Sequence, residues 1–191
     1  ASSIGDQLEP DGSLNPATYR LIGQVYRQFA ERESWARPSR PLVEAAVLTP
    51  ENQWFEHAIP DSVLGAAQLL DELALQYDII DETMDFSPYP LLILPDDACL
   101  SASAQAHLED YVAAGGSVLA CMNGGMDAGK NYPACFAAGN PGLQTDYPDF
   151  IIADGPLAAG LEPGQPYAIY LQGNRLVTSG AEVLLSAQAP Y

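Results

Sequence analysis

Apolar positions along this chain follow two rhythms, and the change comes near residue 41. Tyr19, Ile22, Tyr26 and Phe29 recur at helical spacing through GQVYRQFAERE. Asn15 before Pro16 supplies a capping side chain and a residue suited to a first turn, so a helix is expected over 15–34. The pattern stops near Trp35. ARPSRP at 36–41 reads as an extended linker, because proline disfavours helix in the residue before it. From residue 42, short apolar runs alternate with longer amphipathic ones. LVEAAVL (42–48), YDIID (77–81), PLLILP (90–95) and GSVLAC (116–121) read as strands. The third has the unbroken apolar character of a parallel strand covered on both faces. Between the strands, TPENQWFEHAIP is a loop. A helix over 61–76, capped by Asp61 or Ser62, turns Val63, Ala67, Leu70 and Ala74 inward. A second helix over 101–114, capped by Ser101, does the same with Ala104, Leu108, Tyr111 and Val112. Gly115 and Gly116 end it with residues that accept a left-handed backbone. The order predicts an α/β layered, mainly parallel sheet with right-handed crossovers.

After residue 122 the rhythm thins. MNGGMDAGKNYPACFAAGNPGLQTDYP is rich in turn formers and reads as a long surface loop. FIIADG (150–155), YAIYLQ (167–172) and AEVLLSA (181–187) read as strands joined by GNRLVTSG, forming an antiparallel appendage or edge.

Composition sharpens the picture through charge. The 191 residues are 48% hydrophobic, enough for a real core, yet no apolar run approaches the ~20 residues of a bilayer span. Seven basic residues face 25 acidic ones, a formal charge of −18 that repels nucleic-acid backbones and anionic lipid surfaces. Arg20, Arg27, Arg32, Arg37 and Arg40 all precede residue 41, so the two parts of the chain differ chemically. Cys99, Cys121 and Cys135 are widely spaced, without a CxxC pair. The N-terminus has neither a basic start nor an apolar stretch of the secretory kind, and a cytoplasmic location with reduced thiols is the expectation.

Two stretches are more specific than periodicity: IGDQLEPDGSLNPATYRLIGQVYRQFAERESW (4–35) and LLDELALQYDIIDETMDFSPYPLLILPDDACLSASAQAHLEDYVAAGGSVLA (69–120). Together they resemble the junction in bacterial β-galactosidase-like glycoside hydrolases of family 42 and their relatives, where a catalytic TIM barrel hands over to a trimerisation domain. The first stretch is similar to the end of the barrel with its last helix. The second is similar to the core of the trimerisation domain, whose fold is like that of flavodoxin and class I glutamine amidotransferases. GNRLVTSGAEVLLSAQAPY resembles that domain's closing hairpin. The resemblance implies a barrel remnant over 1–38 and an amidotransferase-like trimerisation domain over 39–191 with a C-terminal β-hairpin appendage. It implies no cofactor and no catalytic residue in this chain, because the two carboxylates of a retaining glycosidase come from barrel strands. Its partners would be other copies of the parent chain, as a homo-oligomeric trimer, and its own TIM barrel. Trp54, Phe55 and Tyr147 are candidate interface anchors, since hot spots favour aromatic residues, and Asp96 and Asn123 are candidate contacts at the sheet's edge. A carbohydrate-binding module and a stand-alone amidotransferase-like enzyme are the alternatives.

The chemical candidates weigh against the enzyme. Cys121 ends a strand ahead of a glycine-rich turn, where a nucleophile would sit. A class I amidotransferase needs a G-x-C-x-G elbow, whereas Leu119-Ala120-Cys121-Met122-Asn123 has glycine at neither place. It also needs a later histidine as base, and none follows His107. Cys121 is therefore read as buried and unreactive. His57 and His107 lie fifty residues apart and make a weak metal pair. His107 is read as a helix-surface or boundary residue. Asp96-Asp97 suit turn and cap chemistry better than an acid–base couple. NGGMDAGK (123–130) lacks the spacing of a phosphate loop, because Asn131 follows Lys130.

Overall fold

The structure, a computed structural model, describes residues 8–50, 59–145 and 148–188. The chain divides into two compact units, Ala1–Pro41 and Leu42–Tyr191.

Among its described residues the first unit is a single helix with its leading turn. Helix α1 (Pro16–Ala36) begins where expected: the Asn15 side chain accepts hydrogen bonds from the amides of Ala17 and Thr18, and Pro16 occupies the first turn. No residue of α1 is buried, and its large apolar side chains stand open, Phe29 at 61% and Trp35 at 84% exposure. An exposed Glu33–Arg37 pair spans its last turn at 3.2 Å.

The second unit is built on four parallel strands, β1 (Ala45–Leu48), β2 (Tyr77–Ile80), β3 (Leu91–Leu94) and β4 (Ser117–Ala120). Their order is β2-β1-β3-β4, with Ala45 opposite both Tyr77 and Leu91, and Leu91 opposite Ser117. Side chains alternate between two layers. Ala45, Val47 and Ile93 pack with Val63 and Leu70 of helix α2 (Asp61–Glu72). Ala46, Leu48, Ile80, Leu92 and Leu94 pack on the other face with Ala104, Leu108 and Tyr111 of helix α3 (Ala102–Ala113). The mainly parallel α/β sheet stands as expected.

Several details differ from the sequence reading. The expected cap of α2 at Asp61 or Ser62 is absent: Pro60 holds the cap position, and its carbonyl takes the amides of Val63 and Leu64. The helix stops at Glu72 rather than 76 because Ala74 turns left-handed at φ 56°, which carries Leu75 back toward the α2 layer. Ser101 caps α3 as expected, its hydroxyl accepting the Ala104 amide at 3.2 Å.

The stretch read as a long surface loop is instead partly core. Met126 is fully buried, Phe136 packs against the α3-side cluster, and residues 138–143 form a strand. That strand, β5 (Ala138–Leu143), pairs antiparallel with β8 (Asn174–Thr178), which lies in the segment read as a connection. A separate antiparallel sheet sets β6 (Asp149–Ile152) between β7 (Pro166–Ile169) and β9 (Ala187–Gln188). The closing hairpin is thus corrected: β8 and β9 belong to different sheets. AEVLLSA contributes only Ala187 to a strand, because its apolar residues find no partner strand over 181–186.

Candidate functional site

In an open parallel sheet, ligands bind at the carboxyl ends of the strands where the order reverses. Here the reversal falls between β1 and β3, since β2 lies to one side of β1 and β3 to the other. Thr49 follows β1 there, buried, with its hydroxyl unpartnered among the described residues. Asp96 and Asp97 follow β3, and Cys121 to Asn123 follow β4.

The two aspartates have different environments. Asp97 is exposed, and its carboxylate accepts the Ser62 hydroxyl at 2.8 Å, tying the β3–α3 turn to the start of α2. Asp96 is half-buried; desolvation, with the Asp97 charge beside it, pushes its carboxyl above the usual range. Asp97 thus ties two elements together, whereas the cap of α3 is Ser101 rather than either aspartate.

Cys121 corrects the sequence reading. It is exposed, not buried. β4 is a sheet edge, and its exposure alternates so that Ser117, Leu119 and Cys121 share the open face. Its thiol nevertheless stays protonated: partial desolvation raises its pKa, and the neighbouring Asp96 carboxylate adds to the rise. The left-handed residue is the following Met122, at φ 47°, whereas a nucleophile elbow puts the strain on the nucleophile itself. An acid beside the thiol opposes the ionisation that a nucleophile needs. In a Cys99→Ser/Cys135→Ser background, Cys121 should alkylate slowly near neutral pH. The rate should rise about tenfold per pH unit while the solution stays below the thiol's pKa. Alkylation near neutrality faster than that of the urea-unfolded chain would overturn this account.

The glycine-rich turn after Cys121 spends its amides internally. Gly124, Gly125 and Met126 donate to the carbonyls of Cys121, Ala98 and Asn123, and Asp127 and Lys130 donate within 127–131. Most of the turn's amides are thus spent on its own carbonyls rather than aimed at a ligand. Gly124 is required by close approach, since a Cβ there would lie 2.3 Å from the Leu94 carbonyl oxygen. Asn123 is engaged structurally: its side-chain oxygen accepts from Asn174 at 3.2 Å, and Asn174 also donates to the Met122 carbonyl at 2.9 Å. Tyr132 donates to that same carbonyl. Asn174, unmarked in the sequence reading, thereby fastens β8 to the end of β4.

Trp54, Phe55, His57 and Tyr147 lie outside the described residues. The structure brings Asp96 and Asn123 to the same sheet edge. His107 is exposed on α3, as read, and faces a feature the sequence reading missed.

That feature is a groove of about 430 Å³ on the α3 layer, whose lining includes Met84, Asp85, Phe86, His107, Asp110 and Tyr111. It exists because β2 connects to β3 through residues 81–90 without a helix, although parallel strands are usually joined by a helical crossover. Phe86 plugs the layer in place of a helix, 3% exposed and edge-on to Tyr111 at 86° with centroids 6.4 Å apart. The loop is pinned by two aspartate turns, Asp81 accepting from Thr83 and Asp85 from Ser87. Those bonds hold both carboxyls below the usual range, so Asp85 is an anion at the groove. The signal was available in the sequence: ten residues between strands are too few for a helix with its two turns.

Among the described residues there is no group of three or more potential metal ligands, and no helix long and apolar enough to cross a membrane. Residues 68–149 match the family described as the beta-galactosidase trimerisation domain. No curated protein matches the chain. Among solved structures, it is similar to α-L-fucosidase isoenzyme 2 from Paenibacillus thiaminolyticus, with 30% identity over 98% of this chain and 29% of that one, at a TM-score of 0.78. It is also similar in fold to a β-galactosidase from Bacillus circulans sp. alkalophilus, with 18% identity, 96% and 30% coverage and a TM-score of 0.72. Gan42B, a GH42 β-galactosidase from G. stearothermophilus, gives 18% identity, 96% and 29% coverage and a TM-score of 0.71. The chain spans less than a third of the length of each of these proteins.

Proposed function

We propose, from the membership of residues 68–149 in the β-galactosidase trimerisation-domain family, that this chain is the non-catalytic assembly part of a larger glycoside hydrolase. That match carries the reading. Two further observations support it. The solved proteins it resembles over nearly its whole length are glycosidases more than three times as long. The thiol of Cys121 at the end of β4 is partly desolvated and faces a carboxylate whose negative charge opposes the thiolate a nucleophile needs.

In this reading residues 39–191 are the assembly domain, and residues 1–38 are the end of a TIM barrel whose body supplies the two catalytic carboxylates. The open apolar face of α1, with Tyr19, Tyr26 and Phe29, would then be covered by that barrel, recovering ~1.5–3 kcal/mol for each large side chain buried. Trp54, Phe55 and Tyr147 are proposed as anchors between copies, and Asp96 and Asn123 as contacts at the sheet edge. A cytoplasmic enzyme of carbohydrate metabolism is the setting that fits. Sedimentation equilibrium of the chain should give a concentration-dependent approach to three times the monomer mass, and nitrophenyl β-galactoside should not be hydrolysed. A strict monomer that hydrolyses the glycoside would overturn the proposal.

A further inference from the structure

A cyclic trimer needs a heterologous contact, in which two different patches of the chain meet. The charges of this protein say which patches can attract. Residues 42–191 hold twenty of the 25 acidic residues and only Lys130 and Arg175 as bases, whereas residues 1–41 hold five of each sign. Second units of like net charge repel one another at long range, so electrostatic attraction between copies favours an additional contact in which arginines of the first unit of one copy meet the second unit of the next.

The α3-layer groove is a concave acidic surface on the second unit. Its floor is aromatic, Phe86 against Tyr111, and its rim carries Asp85 and Asp110. His107 is the only lining side chain able to carry positive charge, and neither Lys130 nor Arg175 lines it. On α1, Arg20 and Arg27 lie two turns apart on one face, sharing a surface concavity with Tyr19 and Gln24. Both arginines are exposed, and neither has an ion-pair partner among the described residues. At 100° per residue the two arginines point away from Ile22 and Phe29, with Tyr19 on the border between the faces, so the guanidinium groups stay free if the apolar side is covered.

From these observations we infer that Arg20 and Arg27 of one copy dock into the Asp85/Asp110 groove of a second copy, forming the head-to-tail contact of the assembly. The guanidinium groups suit the site by pairing with the carboxylates at its rim. The inference rests on the assembly reading above and adds the surface that performs it.

The test uses the 191-residue chain with two charge-reversed variants, Arg20→Glu/Arg27→Glu and Asp110→Arg. Asp85 is left intact because it pins its own turn. Asp110 is exposed on α3, and circular dichroism checks that each variant keeps its fold. Each variant alone should raise the dissociation constant of the assembly at least about tenfold. Their equimolar mixture should regain self-association that neither variant shows alone, because the arginines of one variant meet the intact groove of the other. Native mass in both variants, or a mixture that stays monomeric, overturns the docking inference while leaving assembly through another surface in place. A wild-type chain that is monomeric at every concentration overturns the assembly reading itself.

Discussion

Phe86→Ala is expected to lower the stability of the second unit by about 3–5 kcal/mol, the range for emptying a buried aromatic site. The loop 81–90 has no helix to lay on the sheet, and Phe86 supplies the volume that a crossover helix would bring. Its ring sits in the cluster with Leu48, Leu92 and Leu94. It also meets Tyr111 edge-on, an arrangement worth about 0.5–1.5 kcal/mol beyond the area covered. Collapse cannot refill the site cheaply, because the aspartate turns at 81–83 and 85–87 fix the loop on either side. Met84 is the control: it lines the same groove but is half exposed, so Met84→Ala should change stability by no more than about 0.5 kcal/mol. Urea unfolding of the two variants separates the cases. A Phe86→Ala cost below about 1 kcal/mol would show that the loop is not part of the core.

The same loop shows what the sequence makes legible. The four parallel strands and both flanking helices are readable because buried strands appear as unbroken apolar runs, and β1 and β3 are covered on both faces. β5 is unreadable for the opposite reason. AGNPGL has no residue that favours a strand locally, and it extends only because β8 pairs with it. The apolar run in AEVLLSA misleads in the other direction, since composition does not provide a partner strand.

The exposure of Cys121 follows from counting layers. Among the described residues two helices serve four strands, and α2 packs on β1 and β3, so the α2 side of the edge strand β4 is left open, with Leu119 at 46% exposure. Its residue type and position gave no hint of this. The absence of an amidotransferase elbow, by contrast, was readable from two missing glycines, and the structure adds Asp96 beside the thiol as a second obstacle.

Gly116→Ala is expected to cost about 2–4 kcal/mol, more than Gly115→Ala, although Gly115 is the one in the left-handed region. The two glycines end α3 together but for different reasons. Gly115 has φ 99° and open space around a Cβ, so alanine there meets only backbone strain of about 1–2 kcal/mol. Gly116 lies outside the left-handed region, and its Cβ would fall 2.2–2.5 Å from three ring atoms of Tyr111. That ring cannot swing aside freely. Phe86 stands against it, and its hydroxyl donates to the carbonyls of Tyr89 and Ser117. Tyr111 therefore joins the end of α3, the approach to β3 and the start of β4, and a methyl group at 116 pushes on all three. A double-mutant cycle checks the cause: in a Tyr111→Ala background, itself destabilised, the further cost of Gly116→Ala should fall to within about 0.5 kcal/mol of zero. If Gly115→Ala proves the costlier substitution, or if the cycle shows no coupling, the helix end is governed by local backbone preference rather than by the tyrosine packed across it.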